Sequence, residues 1–253
     1  LDLREPLAVA RADAIATVRW AAALRVPPVA GQWPFLALVH PTHYPLEAGD
    51  VASSAGARFA SADWGDHVEE TQRQQSTALF ARLDGESPYL TGPLARWALN
   101  QPVLPAAVRA VAAECGLEWP CRNPFRSIVV RAVELLFACD EALRLIEAYD
   151  PPADAFVEVD PRGGQGRATT EAPRGALHHR YAIDDDGLIE SATIVPPTSQ
   201  NQAAIEADLR SVAGANTASD DDELRRLCEQ AVRNHDPCIS CATHFLDVTV
   251  DRV

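Results

Sequence analysis

The segment NPFRSIVVRAVELLFACDEALRLIEAY, residues 123–149, contains the strongest secondary-structure signal in the chain. Asn123 is a good helix N-cap, Pro124 suits a first turn, and Pro151 should stop the helix just after Tyr149. Apolar side chains recur inside the segment at helical spacing, at Ile128, Val129, Ala132, Leu135, Leu136, Cys139, Leu143 and Ile146. This spacing predicts a core helix with one buried face.

Weaker signals flank this helix on both sides. Hydrophobic periodicity predicts further helices at 7–24, 66–81, 200–212 and 221–234, and strands at 35–39, 86–94, 156–159, 176–183 and 188–195. The DDDG sequence at 184–187 is typical of a hairpin turn, and alternation within 245–250 indicates a short closing strand. No linker demands a domain boundary, so we predict a single domain over residues 1–253. Its class is α+β, predominantly helical, with a small antiparallel sheet.

Composition narrows the class of protein. The chain has 253 residues, 47% of them hydrophobic, and a formal net charge of −14. It contains no run of the roughly 20 apolar residues that span a bilayer, so no membrane insertion is expected. The acidic balance disfavours nucleic acid as a partner. Six scattered cysteines are too few for a disulfide scaffold, which favours a cytoplasmic protein.

A cysteine pair near the C-terminus carries the clearest chemistry. HDPCISCATHF, residues 235–245, places Cys238 and Cys241 three apart, and thiolates at this spacing can face one metal ion. A lone C-x-x-C pair is equally compatible with a redox pair or with small buried side chains. A structural zinc site normally needs four protein ligands. Cys115 and Cys121 are six apart, so this sequence supplies no second pair of that spacing.

With its context, this motif resembles the C-terminal signature of the large subunit of nickel-iron hydrogenases, D-P-C-x-x-C-x-x-H. The segments at 81–100, 123–149 and 171–209 resemble that family in the same order, so the resemblance covers about residues 60–244. It implies a hydrogenase large-subunit-like fold. It also implies reversible conversion of H2 to protons and electrons at a nickel-iron centre that carries cyanide and carbonyl on iron.

The resemblance assigns roles to individual residues near the cysteine pair. Cys238 matches the terminal nickel ligand and Cys241 the thiolate that bridges nickel and iron. Arg174, in APRG, and Asp236 match the Arg and Asp beside the open metal face. Heterolytic cleavage of H2 would then leave a proton on Cys238 or Arg174.

Three further residues belong to the same inferred site. Pro173 and Thr198 match the region that lines the diatomic ligands of iron, and His244 matches a ligand of a structural magnesium ion. His178 and His179 follow the APRG motif in a predicted strand, where alternation should turn one inward and the other outward. We interpret both histidines as structural. Taken without the resemblance, APRG would more simply be an exposed turn.

The sequence also departs from the family pattern. The second cysteine pair, usually R-x-C-G-x-C, is absent from residues 1–253, and the sequence begins at Leu1 without Met. We therefore expect the N-terminal portion to be missing and this chain alone to be inactive. Residues 245–253 follow the final histidine, where many family members are cleaved.

The resemblance implies partners as well. An iron-sulfur small subunit would carry the clusters that remove electrons, and the motifs most resemble the soluble cytoplasmic branch with NAD(P)- or deazaflavin-linked subunits. Two other hypotheses stay open. One is a non-catalytic, hydrogenase-derived subunit with a structural or electron-transfer role, and retention of Cys238 and Cys241 argues against it. The other is a zinc-binding interaction module, which needs two more ligands.

Overall fold

The computed structural model describes residues 2–85 and 88–238. The helices are α1 (Arg4–Ala22), α2 (Trp64–His67), α3 (Pro93–Asn100), α4 (Ala106–Glu114), α5 (Ser127–Glu147), α6 (Pro197–Ala215) and α7 (Asp221–Asn234). The strands are β1 (Leu36–Val39), β2 (Asp50–Ser53), β3 (Arg58–Ala60), β4 (Val68–Thr71), β5 (Phe80–Leu83), β6 (Gly164–Ala172), β7 (Gly175–Ile183) and β8 (Ile189–Val195). Long helices combined with small antiparallel sheets confirm the predicted α+β class.

Helix α5 is the centre of the larger core. The Asn123 side chain accepts a 2.9 Å hydrogen bond from the Phe125 amide, which confirms the predicted N-cap ahead of a short 3-10 turn. The buried face of α5 packs against α1, α3 and α4. Leu135 is an exception to the predicted stripe, because it is 50% exposed. It lies about 100° around the helix from the buried Leu136, on the solvent side.

The strands form three small antiparallel sheets, ordered β1-β2-β3, β4-β5 and β6-β7-β8. The predicted turn at 184–187 is confirmed, since it joins β7 to β8 and the Gly187 amide donates to the Asp184 carbonyl at 3.0 Å. Strand β6, which sequence periodicity did not indicate, pairs with β7 along its whole length. The tight β6–β7 turn contains Pro173 and Arg174. The hairpin therefore places the APRG motif at one end of the sheet.

Three predicted elements are wrong. The segment 66–81 forms α2 and the β4–β5 hairpin rather than a helix, because Val68 pairs with Leu83 and both are buried in the smaller core. The prediction of a strand over 86–94 fails where α3 begins at Pro93, while residues 86 and 87 lie outside the described residues. The apolar side chains at 156–159 are exposed and form no strand.

The other helix predictions hold with shifted ends. The predicted helix 7–24 is α1, the helix 200–212 is α6, which begins three residues earlier at Pro197, and the helix 221–234 is α7. Sequence periodicity did not indicate α3 and α4. The closing strand predicted at 245–250 lies outside the described residues. No helix in the ranges 2–85 and 88–238 is long and apolar enough to cross a membrane.

Candidate metal centre

The β6–β7 turn presents Arg174 at the surface. Ala172 pairs with Gly175 in the hairpin register, which leaves Pro173 and Arg174 as the exposed turn residues. Gly175 is buried with φ +140°, and a Cβ there would lie 2.5 Å from Cγ2 of Thr91. Only glycine suits both the backbone angle and the close contact. The close packing of Gly175 thus supports a turn in which Arg174 is exposed.

The carboxylate of Asp236 lies between two guanidinium groups. Arg174 Nε donates a 2.7 Å hydrogen bond to the Asp236 carbonyl and lies 3.3 Å from its carboxylate, and Arg131 Nη1 lies 3.5 Å from that carboxylate. Asp236 has φ +49°, which turns the chain back toward Arg174 two residues after α7 ends at Asn234. Burial lowers the pKa of Arg131, and the Asp236 carboxylate only partly offsets this effect.

The neighbouring Cys238 contacts the first turn of α6. Thr198 is 3% exposed, and its Oγ1 accepts a 3.2 Å hydrogen bond from the Cys238 amide. The contact holds the main chain of the half-buried Cys238 beside the amino end of α6.

Other polar side chains hold the surrounding backbone in place. Asn201 on α6 pairs with both backbone groups of Thr91, accepting from its amide at 2.9 Å and donating to its carbonyl at 3.2 Å. His235 Nε2 lies 2.7 Å from Asp208 Oδ2, and both side chains are almost fully buried. These contacts fix the loop before α3 and the end of α7 relative to α6.

The two histidines of β7 lie on opposite faces of the strand, as alternation predicts. His178 is 3% exposed, its Nδ1 lies 2.9 Å from Thr169 Oγ1, and its ring stacks on Trp64 at 5.2 Å. Burial lowers the pKa of His178 to about 4. His179 is partly exposed and contacts the Tyr181 hydroxyl at 2.8 Å.

Sequence reasoning missed a buried ionic cluster beneath the turn. Arg96 on α3 contacts the carboxylates of Glu134 on α5 and Glu171 on β6 at 2.6 and 2.9 Å. The available signal was weak: Arg96 and Glu134 are charged residues within otherwise apolar helical stretches, and Glu171 precedes APRG. A charge at such a position is buried only when it is paired.

Of the predicted site residues, the structure brings Arg174, Asp236, Thr198 and Cys238 into one region beside Pro173. Cys241 and His244 lie outside the described residues. In the part of the chain that is described, no group of three or more His, Cys, Asp and Glu side chains could hold a metal ion. A cysteine sulfur such as that of Cys238, two residues after Asp236, is a ligand type that suits nickel and iron. The described donor set alone does not complete a nickel-iron centre.

Comparison with known proteins relates part of this chain to one family. Residues 138–244 match the family model described as nickel-dependent hydrogenase, a range that contains all the predicted site residues. The structure is similar to that of an NAD+-reducing NiFe hydrogenase in the H2-reduced state, with a TM-score of 0.77 and 25% identity over 94% of this chain and 58% of that chain. A NiFeSe hydrogenase from Dm. baculatum shares the fold, with a TM-score of 0.59 and 20% identity over 96% of this chain and 57% of that chain.

Curated relatives agree with this class. The sulfhydrogenase 1 subunit alpha of Pyrococcus furiosus is 30% identical over 205 residues, which are 80% of this chain and 47% of the relative. The NAD-reducing hydrogenase HoxS subunit beta of Cupriavidus necator is 35% identical over 122 residues, 46% of this chain and 25% of the relative. Residues 138–244 of this chain thus match the nickel-dependent hydrogenase family, and the relatives it resembles are named as subunits of hydrogenases. It spans about half or less of the length of the curated relatives it matches.

Proposed function

We propose that this chain forms part of the catalytic large subunit of a nickel-iron hydrogenase, which converts H2 reversibly to protons and electrons. The observation that carries the proposal is the convergence of Arg174, Thr198, Asp236 and Cys238 from the β6–β7 turn, α6 and the segment after α7. The family match supports the reaction class, and the whole enzyme's activity remains part of the proposal.

Cys238 and Cys241 would hold the nickel and iron through their thiolates. Soft thiolates suit nickel and low-spin iron. When bound, the nickel-iron centre supplies heterolytic cleavage of H2. Pro173 and Thr198 would line the cyanide and carbonyl ligands of iron, and His244 would bind a magnesium ion. The missing pair of thiolates would come from a segment that these 253 residues do not contain.

Asp236 would hold the positively charged guanidinium of Arg174 beside the open face of the metal centre. The Asp236 carbonyl and carboxylate both lie near Arg174 Nε, so the plane of the guanidinium has a defined direction. Arg131 approaches the same carboxylate, so the carboxylate faces two cations. A fixed guanidinium can polarise a small molecule at the metal face and stabilise anionic ligands there. Cys238 or Arg174 would accept the proton released from H2.

The electrons would leave through iron-sulfur clusters in a small subunit. Cys121, Cys139 and Cys228 are buried, and burial raises the pKa of the Cys121 and Cys228 thiols. In the described residues, these thiols belong to no group of three or more His, Cys, Asp and Glu side chains that could hold a metal ion. Among the further subunits we propose a nicotinamide-linked partner, because one relative is named as NAD-reducing. The relatives named F420-non-reducing give no support to a deazaflavin acceptor. A cytoplasmic location fits this assembly.

Metal analysis and activity of the full-length natural protein test the proposal. Nickel and iron in equal amounts, together with H2-dependent reduction of a viologen dye, are the expected result. Zinc alone would instead indicate a zinc-binding module, and a folded protein without metal would indicate a non-catalytic subunit.

A matched pair of cysteine variants sharpens this test. Cys238→Ser replaces a soft ligand with a hard one, and it should remove most of the nickel and lower dye reduction at least about 100-fold. Cys115→Ser is the control, because Cys115 packs against the α1–α5 core away from Arg174. Equal nickel content in the two variants would contradict the assignment of Cys238.

A further inference from the structure

The buried Arg96 binds the main chain that leads into Arg174. Its Nη1 donates to the Ala172 carbonyl at 2.9 Å, and its Nη2 donates to the Pro173 carbonyl at 2.9 Å. The guanidinium reaches Glu134 through Nε at 2.6 Å and Nη2 at 2.8 Å, and Glu171 through Nη1 at 2.9 Å. All five N–H donors of the side chain therefore have acceptors, and two of these acceptors are the carbonyls of the last β6 residue and the first turn residue.

The carboxylates around Arg96 are themselves anchored. The second oxygen of Glu171 accepts a 2.8 Å hydrogen bond from the Leu38 amide on β1, and Glu134 Oε1 accepts a 2.7 Å hydrogen bond from the Tyr44 hydroxyl. A buried guanidinium is tolerated only with such complete pairing. Arg96 thus has a fixed position relative to β1, α5 and β6.

The opposite side of the turn is held by the residues just before α3. A Cβ on Gly92 would lie 2.6 Å from the Arg174 carbonyl oxygen, so the two backbones are in direct contact. Thr91 Oγ1 accepts a 2.9 Å hydrogen bond from the Ala176 amide. Arg96 lies on α3, four residues after Gly92. The start of α3 and the residues just before it therefore contact the backbone on both sides of Arg174.

We propose that Arg96 is a positioning residue that fixes the β6–β7 turn and thereby directs Arg174 toward the metal face. This inference rests on the proposed role of Arg174. Arginine is required because a planar fork with five donors can serve two carboxylates and two carbonyls at once. Lysine keeps the charge, but its three donors leave at least one carbonyl or carboxylate contact unmade.

Arg96→Lys in the full-length natural protein tests the inference. Hydrogen exchange measured by mass spectrometry should accelerate at least about tenfold in peptides that cover 172–178, while peptides from β8 keep their protection. H2-dependent dye reduction should fall at least about tenfold. Arg122→Lys is the matched control, because Arg122 donates to the Trp33 carbonyl and lies over Phe35. This control should change neither measurement.

Unchanged exchange at 172–178 would overturn the inference, and so would a uniform rise over the whole chain, which indicates a purely structural role. If Arg96→Lys does not fold, the triple variant Arg96→Met, Glu134→Gln, Glu171→Gln removes the buried charges together. The same local acceleration is expected from it, and its absence would also overturn the inference.

A separate variant distinguishes failure of this inference from failure of the proposed function. If Arg174→Met keeps full dye reduction, the catalytic role of Arg174 is wrong whatever Arg96 does. If Arg174→Met is inactive but Arg96→Lys leaves both the exchange of the turn and the activity unchanged, only the positioning role of Arg96 is wrong.

Discussion

Arg174 Nε donates a 2.7 Å hydrogen bond to the main-chain carbonyl of Asp236, a residue 62 positions later in the chain. The contact to the carboxylate of the same residue is longer, at 3.3 Å. Main chain and side chain of Asp236 thus hold the same edge of the guanidinium. A substitution of the Asp236 side chain removes the carboxylate contact but keeps the carbonyl contact. The two contributions to the position of Arg174 can therefore be measured separately.

Asp236→Asn should therefore weaken the orientation of Arg174 without removing it. The pair is substantially exposed, so we expect the free energy of unfolding to change by less than about 1 kcal/mol. We expect dye reduction by the full-length natural protein to fall by roughly ten- to a hundredfold, because the charge that orients the guanidinium is lost. Asp50→Asn is the control, since Asp50 forms a similarly exposed pair with Arg58. Equal activities of the two variants would remove Asp236 from the site.

Gly92→Ala should destabilise the protein more than Gly56→Ala does. Both glycines have φ near +107°, but a Cβ on Gly92 meets the Arg174 carbonyl at 2.6 Å whereas a Cβ on Gly56 meets nothing within 4 Å. Backbone strain should lower the free energy of unfolding of both variants by about 1 kcal/mol. The clash should lower that of Gly92→Ala by about 2 kcal/mol more. Urea unfolding curves measure the difference. Equal losses would mean that the two backbones separate easily.

Asn201→Ala should lower the free energy of unfolding by about 2–4 kcal/mol, because both buried backbone groups of Thr91 lose their partner. Asn216→Ala is the comparison, since Asn216 donates one hydrogen bond to Val212 at the end of α6. We expect that variant to lose less than about 1 kcal/mol. Chemical denaturation of both variants at one pH checks the prediction, which fails if Asn216→Ala is the more damaging change.

His178 should make the protein less stable in mild acid. Its folded-state pKa of about 4 lies below the ordinary value of 6.5, so the unfolded chain takes up the proton first as the pH falls. The free energy of unfolding should decrease by roughly 3 kcal/mol as the pH falls from about 7 to 4, and His178 should contribute little further change below that range.

His178→Phe isolates this contribution. Phenylalanine can keep the stacking on Trp64 but carries no titratable group and loses the contact with Thr169. The variant should be less stable at pH 7 and should show a shallower decline between pH 6.5 and 4. His179→Phe serves as the control on the opposite face of β7. An unchanged slope in the His178 variant would mean that other groups cause the acid sensitivity.

The elements that sequence periodicity predicted well are those whose burial repeats along the chain. Helices α5 and α7 are examples, because the buried residues of each helix lie on one face. The segment 66–81 failed because its buried residues, such as Val68 and Phe80, come from two strands that pair across a turn. Its polar residues lie on the outer faces of the hairpin, and their pattern in the sequence is similar to that of an exposed helix. Pairing between strands is not visible in the periodicity of either one.

The candidate site divides in a similar way. Arg174, Asp236 and Cys238 stand in short motifs, so the resemblance to a family was enough to select them. Arg96 has no such signal, because its partners are the carbonyls of Ala172 and Pro173, 76 and 77 positions away. Every residue except proline offers the same main-chain groups, and proline still offers the carbonyl. A side chain that binds a main-chain group therefore leaves no sequence pattern at the residue whose main chain it binds.

The contact between Thr198 and Cys238 has a consequence for the order in which the protein is made. Synthesis proceeds from the N-terminus, so the β6–β7 hairpin and α6 leave the ribosome before residues 236–238. Until then Arg174 lacks its Asp236 partner and Thr198 its Cys238 partner. Translation therefore completes the surface formed by Arg174 and Thr198 before the segment that carries Cys238, the metal ligand of the proposed function.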